Sequence, residues 1–112
     1  MRQFELKHTG GSYRDEISYY SLIPDKPGMT VVDLCEYAVK ESNEWGYVGI
    51  ISLGRPYKWL DHNTLTEVYR FEYSRGKTIS DNIPEEIKNK PIKTAKASGG
   101  WSRMDHDLYG LL

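Results

Sequence analysis

The side chains of this chain best able to do chemistry begin with carboxylates set beside imidazoles. Asp105-His106-Asp107 and the pair Asp61-His62 supply the ligand types of a divalent metal site. The two segments would have to converge across the fold. In an extended strand, however, Asp105 and Asp107 point away from His106, and short Asp/His groupings near loops commonly face water. Cys35 is the single cysteine. It lies between Leu34 and Ala38 on the apolar stripe of a predicted helix, where a thiol packs as a small hydrophobe and is inert. The chain has no Gly-x-Ser-x-Gly elbow, phosphate-binding Gly-x-x-x-x-Gly-Lys loop, His-Glu-x-x-His helix or dinucleotide fingerprint. The expectation is a protein that is not an enzyme and carries no cofactor, with a metal-dependent enzyme at Asp61, His62, Asp105, His106 and Asp107 as the weakest alternative.

Two other segments have the composition of binding surfaces. In Ser98-Gly99-Gly100-Trp101-Ser102-Arg103, adjacent glycines can turn successive N–H groups into an anion-binding nest, and Trp101 and Arg103 are of the types that dominate interface hot spots. Asp105 closes this segment. The architectural reading is that the glycines form a bulge or corner, Trp101 plugs the core and Arg103 pairs with an acid. Arg55-Pro56-Tyr57-Lys58-Trp59 interleaves cations with aromatics, a pattern that holds phosphates while stacking bases, and Lys88, Lys90, Lys93 and Lys96 could add a basic edge. Its plainer reading has Tyr57 and Trp59 covering the end of the core and the lysines discouraging sheet-to-sheet association.

Composition narrows the classes. The chain has 112 residues with 15 Lys and Arg against 16 Asp and Glu, a formal charge of -1, so no bulk field draws it toward nucleic acid or an anionic membrane. A single cysteine rules out an intramolecular disulfide and a Cys-rich zinc site. With no apolar leader and no run near the roughly 20 residues that cross a bilayer, the expected setting is the cytoplasm. One α+β domain over residues 1–112 suits the length. Nine Tyr, three Trp and two Phe imply an aromatic-rich core on β-sheet faces.

The elements that must position these groups follow from periodicity. Residues 3–8 alternate as a half-buried strand, Thr9-Gly10-Gly11-Ser12 reads as a tight turn, and residues 13–22 return with Ile17 and Tyr19 on one face. Thr30-Val31-Val32-Asp33 has the form of a capped helix start. From it Val31, Leu34, Cys35, Ala38 and Val39 make one helical stripe, with Asp33, Glu36, Lys40 and Glu41 opposite and an exit at Ser42-Asn43. Residues 45–53 read as a central strand broken by Gly46 and Gly49. Residues 67–73 form a further strand with Tyr69, Phe71 and Tyr73 on one face, turning into a short return strand at Thr78-Ile79. Pro84-Glu85-Glu86-Ile87 begins a short helix, residues 91–98 form another strand, and residues 101–108 a last extended segment. The predicted architecture is a mixed, mostly antiparallel sheet packed on one main helix, similar to the β-grasp arrangement. The Tyr109-Gly110-Leu111-Leu112 ending differs from the Gly-Gly of a conjugated ubiquitin-like modifier, so no conjugation role is expected.

Glu44-Trp45-Gly46-Tyr47-Val48-Gly49-Ile50 and Ala97-Ser98-Gly99-Gly100-Trp101-Ser102-Arg103-Met104-Asp105 resemble segments of small proteins without assigned activity encoded in gut-bacterial genomes and their mobile elements. That resemblance implies a bacterial origin and transfers no catalytic residue. The functional expectation is therefore a protein-interaction or accessory module whose partner is another protein, engaged through a sheet edge or through Trp101, Arg103 and Asp105. The alternative is a small nucleic-acid-binding protein using Arg55, Tyr57, Lys58 and Trp59.

Overall fold

A computed structural model of the chain describes residues 3–12, 17–56, 65–74, 83–99 and 105–112. Six strands form one sheet: β1 (Phe4–Ser12), β2 (Ile17–Pro24), β3 (Gly49–Pro56), β4 (Leu65–Tyr73), β5 (Thr94–Gly99) and β6 (Asp107–Leu111). Their spatial order is β1-β2-β5-β6-β3-β4. Every pairing is antiparallel except that of β6 with β3. One α-helix, α1 (Val31–Trp45), and a 3₁₀ turn at Glu85–Ile87 complete the described elements. The mixed, mostly antiparallel sheet on one main helix is thus the α+β architecture the periodicity predicts.

Helix α1 starts where its capping chemistry dictates. Thr30 keeps extended dihedrals while its Oγ1 accepts from the N–H of Asp33 at 3.4 Å, and the Asp33 carboxylate accepts in return from the N–H of Thr30 at 2.9 Å. At the other end the helix outruns the expected stop at Ser42-Asn43. It continues to Trp45 and closes at Gly46, whose φ of 73° lets its N–H reach the carbonyl of Ser42 at 2.8 Å. Trp45 is therefore the last residue of the helix rather than the first of a strand.

The buried stripe of α1 holds Val31, Leu34, Cys35 and Ala38 as expected and adds Tyr37 and Ser42, with Val39 only partly covered. It packs on the inner sheet face, built from Leu22, Ala95, Ala97, Leu108, Ile51, Leu53, Phe71 and Tyr73. Strand β5 begins at Thr94 rather than at 91 and presents only Ala95, Ala97 and Gly99 to that face, so Gly99 continues the strand instead of bending it, while Ile92, ahead of the strand, is buried as well. Burial of a side chain such as Leu34, at 0% exposure, stabilises the fold by roughly 1.5–3 kcal/mol.

The first hairpin differs from its sequence pattern in register. Strand β1 does not turn at Thr9-Gly10-Gly11-Ser12. It shifts register between His8 and Gly10 and pairs on to Ser12 opposite Ile17. That places Ser18, Tyr20 and Leu22 inward, so Ile17 and Tyr19 share a face as expected and it is the outer one. Thr78-Ile79 lies outside the described residues. No helix among the described residues is long and apolar enough to cross a membrane.

Candidate functional site: an aromatic cleft between helix and sheet

The C-terminal half of α1 and the inner sheet face leave between them a cleft of about 550 Å³. Its walls are Tyr37 and Trp45 from the helix, Tyr47 just after it, Tyr20 on β2 and Tyr73 on β4. The floor is apolar, from Ala38, Ala97 and Leu108, and Leu6 of β1 adds to the lining. Two further side chains reach it, Glu41 and His106. Trp45 and Leu6 are 63% and 48% exposed, so the cleft opens to solvent between two large apolar residues.

Helical spacing gathers three of these groups. Tyr37, Glu41 and Trp45 recur every fourth residue and therefore share a face. Glu41 belongs to the cleft and not to the solvated side of α1. Its carboxyl is raised from the ordinary range, first by burial and then by the nearby charge of Glu44, against the lowering effects of Lys40 and of a hydrogen bond with Tyr37. Tyr37 is pushed upward in turn, mainly by burial, with Glu41 and Tyr47 adding to it. Phe4 meets the Tyr37 ring edge-on at 5.2 Å between centroids and fixes its orientation.

His106 is held from several sides. Its ring stacks on Tyr47 with centroids 3.7 Å apart and planes 20° from parallel, and its backbone N–H donates to the carbonyl of Val48 at 2.8 Å. Its own carbonyl accepts from the Tyr73 hydroxyl. The ring lies so close over β5 that a Cβ at Gly99 would sit 2.7 Å from its Nδ1. Gly99 is thus required here by close approach, whatever its neighbour Gly100 does. Burial first, then the charges of Asp107, Tyr37, Glu41 and Asp105, raise Tyr73, which keeps its hydroxyl a donor.

The segments expected from sequence fare unequally. Asp105 is exposed and bridges in parallel register to Val48, at the beginning of β3. Arg55 is exposed near the end of the same strand. At roughly 3.3 Å per residue these two positions stand about 20 Å apart, so they do not belong to one surface. Trp101, Arg103, Tyr57, Lys58 and Trp59 lie outside the described residues. Asp105 and Asp107 do point away from His106, as strand alternation requires. They line a separate shallow polar depression of about 430 Å³ with Arg70 and Glu72, where Asp107 Oδ1 accepts from the Ile50 N–H at 3.1 Å. Asp61 and His62 lie outside the described residues, and among those described no three His, Cys, Asp or Glu side chains are grouped to hold a metal ion. Cys35 is buried and its thiol is pushed up to about 12, first by desolvation and then by Glu36.

Sequence reasoning missed Tyr37, Glu41, Trp45 and Tyr47 as members of a site. The available signal was the four-residue recurrence of Tyr37, Glu41 and Trp45, which is legible only once the helix is extended past Asn43. No known protein family, curated protein or solved structure matches this chain.

Proposed function

We propose that this chain is a non-enzymatic protein-interaction module, of bacterial origin, whose binding site is the aromatic cleft between α1 and the sheet. One observation carries the reading. A concavity of about 550 Å³ is walled by five aromatic side chains and holds one carboxylate, and largely apolar clefts with a few placed polar groups are the usual form of a recognition site. Trp45, on the last turn of α1, is 63% exposed. A large aromatic residue kept in water at the lip of a cleft contributes little to the fold and is of the type that anchors interfaces.

The supports for an interaction role over catalysis are chemical. The Tyr37 hydroxyl is engaged with Glu41 and the Tyr73 hydroxyl with the His106 carbonyl, so these two hydroxyls serve to hold the walls of the cleft in place.

The test is a comparison of capture from bacterial lysate by the tagged protein, by Trp45→Ala and by Arg55→Ala, after nuclease treatment. The expected result is a defined protein partner retained by the parent chain and by Arg55→Ala and lost from Trp45→Ala, with all three melting within a few degrees of each other. Equal capture by Trp45→Ala would remove the cleft as the binding site. Material that disappears with nuclease and with Arg55→Ala would instead support the basic-aromatic segment and a nucleic-acid partner.

A further inference from the structure

We propose that the cleft accepts an organic cation, the ammonium or guanidinium head of a basic side chain presented by the protein partner, held by the Glu41 carboxylate and the aromatic walls. This rests on reading the cleft as the binding site of an interaction module, and it adds the chemistry of what enters.

Charge gives the first argument. Among the residues lining the cleft, with histidine counted neutral, Glu41 alone carries a formal charge, and no Lys or Arg is among them. The wider field has the same sign: Glu44 acts on Glu41, and Asp105 and Asp107 act on Tyr73 at the cleft wall, with Lys40 the opposing cation beside Glu41. An anionic ligand would face Glu41 in a partly dehydrated site. A neutral apolar ligand would strip more water from that carboxylate and give it no new partner. A cation relieves the cost that either of the others would add.

The walls give the second argument. Indole and phenol faces attract cations through the ring quadrupole, more strongly where water is excluded. The apolar floor of Ala38, Ala97 and Leu108, with Leu6 nearby, suits the methylene stem of a lysine or arginine, which packs along apolar surface while its head seeks charge. The volume of about 550 Å³ fits such a side chain together with part of its backbone. The mouth argues for a protein as the source, because exposed Leu6 and Trp45 on its rim offer contact to residues flanking the one that enters.

Burial already holds the Glu41 carboxyl above its ordinary range. A bound cation favours its ionised form, so affinity should rise as pH increases through the Glu41 titration and level off above it. The groups acting with it are Lys40, Glu44 and Tyr37 directly, with Tyr47, Tyr73 and His106 lining the same space.

The experiment is an amide NMR titration of the full chain with four capped tripeptides carrying lysine, arginine, norleucine or citrulline at the centre, each taken to ~10 mM, a range that still resolves millimolar affinity. The expected result is shifts at Tyr37, Glu41, Tyr47 and His106, with each basic peptide binding about tenfold tighter than its neutral counterpart. In Glu41→Gln, which preserves size and a hydrogen bond to Tyr37, that preference should fall by at least about threefold, the loss of one weak ion pair, while the melting temperature does not fall. Neutral peptides binding as well as basic ones, or a preference unchanged in Glu41→Gln, would overturn the cation assignment and leave the interaction reading intact. So would the absence of any cleft shift with all four peptides when partner capture still depends on Trp45. Capture that ignores Trp45→Ala would instead overturn the interaction reading itself.

Discussion

Substitution of Gly49 by alanine should destabilise the protein by about 2–3 kcal/mol although the residue lies at the start of a strand and needs no unusual backbone dihedral. Gly49 is not among the glycines with positive φ, so the whole effect comes from space. A Cβ there would overlap the carbonyl oxygen of His106, lie 2.8 Å from its carbonyl carbon and 3.0 Å from Asp107 Oδ1. Carbon atoms in contact prefer 3.5–4.0 Å, so the 105–107 segment must retreat by about 1 Å. The obstacle is backbone and cannot rotate away. Three hydrogen bonds depend on its position: Tyr73 hydroxyl to His106 carbonyl, His106 N–H to Val48 carbonyl, and Ile50 N–H to Asp107 Oδ1. At about 1 kcal/mol each, their loss costs about 3 kcal/mol. The smaller unfolded-state entropy of alanine returns roughly 0.4–1 kcal/mol. Gly110→Ala is the control, because its Cβ would meet the tip of Leu53 at 2.8 Å and atoms of Ile92 at 3.3 and 3.4 Å, all of them side-chain atoms able to yield. It should cost no more than about 1.5 kcal/mol. Urea denaturation followed by circular dichroism reads both, at constant m-value. A Gly49→Ala midpoint equal to that of the parent, or below which Gly110→Ala falls, would refute the reasoning that the β3–β6 junction is set by that close approach.

Thr30→Ala should lower stability by about 1 kcal/mol in the same assay, since it removes the acceptor for the Asp33 N–H at the start of α1. Cys35 should resist Ellman's reagent at pH 8 in the folded protein and react fully in urea, because burial pushes its thiol up to about 12. A thiol raised in the folded state adds stability that is complete below its unfolded pKa and is lost as pH climbs toward 12, so the urea midpoint should decline above about pH 9; Cys35→Ala should remove the onset of that decline and leave the part above about pH 10 that Tyr37 and Tyr73, raised likewise, contribute. Glu41→Gln should raise the midpoint slightly at pH 7, by less than about 1 kcal/mol after allowance for solvent screening, with the difference closing as pH falls through the Glu41 titration. The sign follows from a carboxyl raised by burial, whose protonated form favours the fold and whose ionised form opposes it.

The helix and the strand types were legible because each carries a local signal strong enough to survive tertiary packing. Thr30 and Asp33 cap one another across three residues, and Ala95 and Ala97 alternate with polar neighbours on β5, so the helix start and the existence of that strand follow from the chain alone. The failures are equally physical. Thr9-Gly10-Gly11-Ser12 has the composition of a turn, yet cross-strand pairing with β2 absorbs these residues through a register shift, and no local preference encodes the partner of a strand. Trp45 has the β propensity of a bulky aromatic residue, but a helix already nucleated propagates until a terminating residue appears, and here that residue is Gly46. The insertion of β5 and β6 between the two hairpins depends on pairing over long sequence separations, which periodicity cannot express.

The cleft shows why the candidate residues were harder to read than the fold. Sequence reasoning weighs each segment by its own composition, and the densest segments, around Arg55 and Asp105, stand at opposite ends of β3. The cleft draws instead on five strands, a helix and two connecting residues, none of which is unusual alone. Glu41 illustrates the point: its charge groups it with the solvated residues of α1, yet at about 100° per residue it falls between the buried Leu34 and Tyr37, on the side that meets the sheet. A half-buried carboxylate with a raised pKa weakens the fold at neutral pH, and a glutamine or methionine there would cost less. Its presence among five aromatic side chains is therefore better accounted for by what the cleft binds than by what holds the chain together.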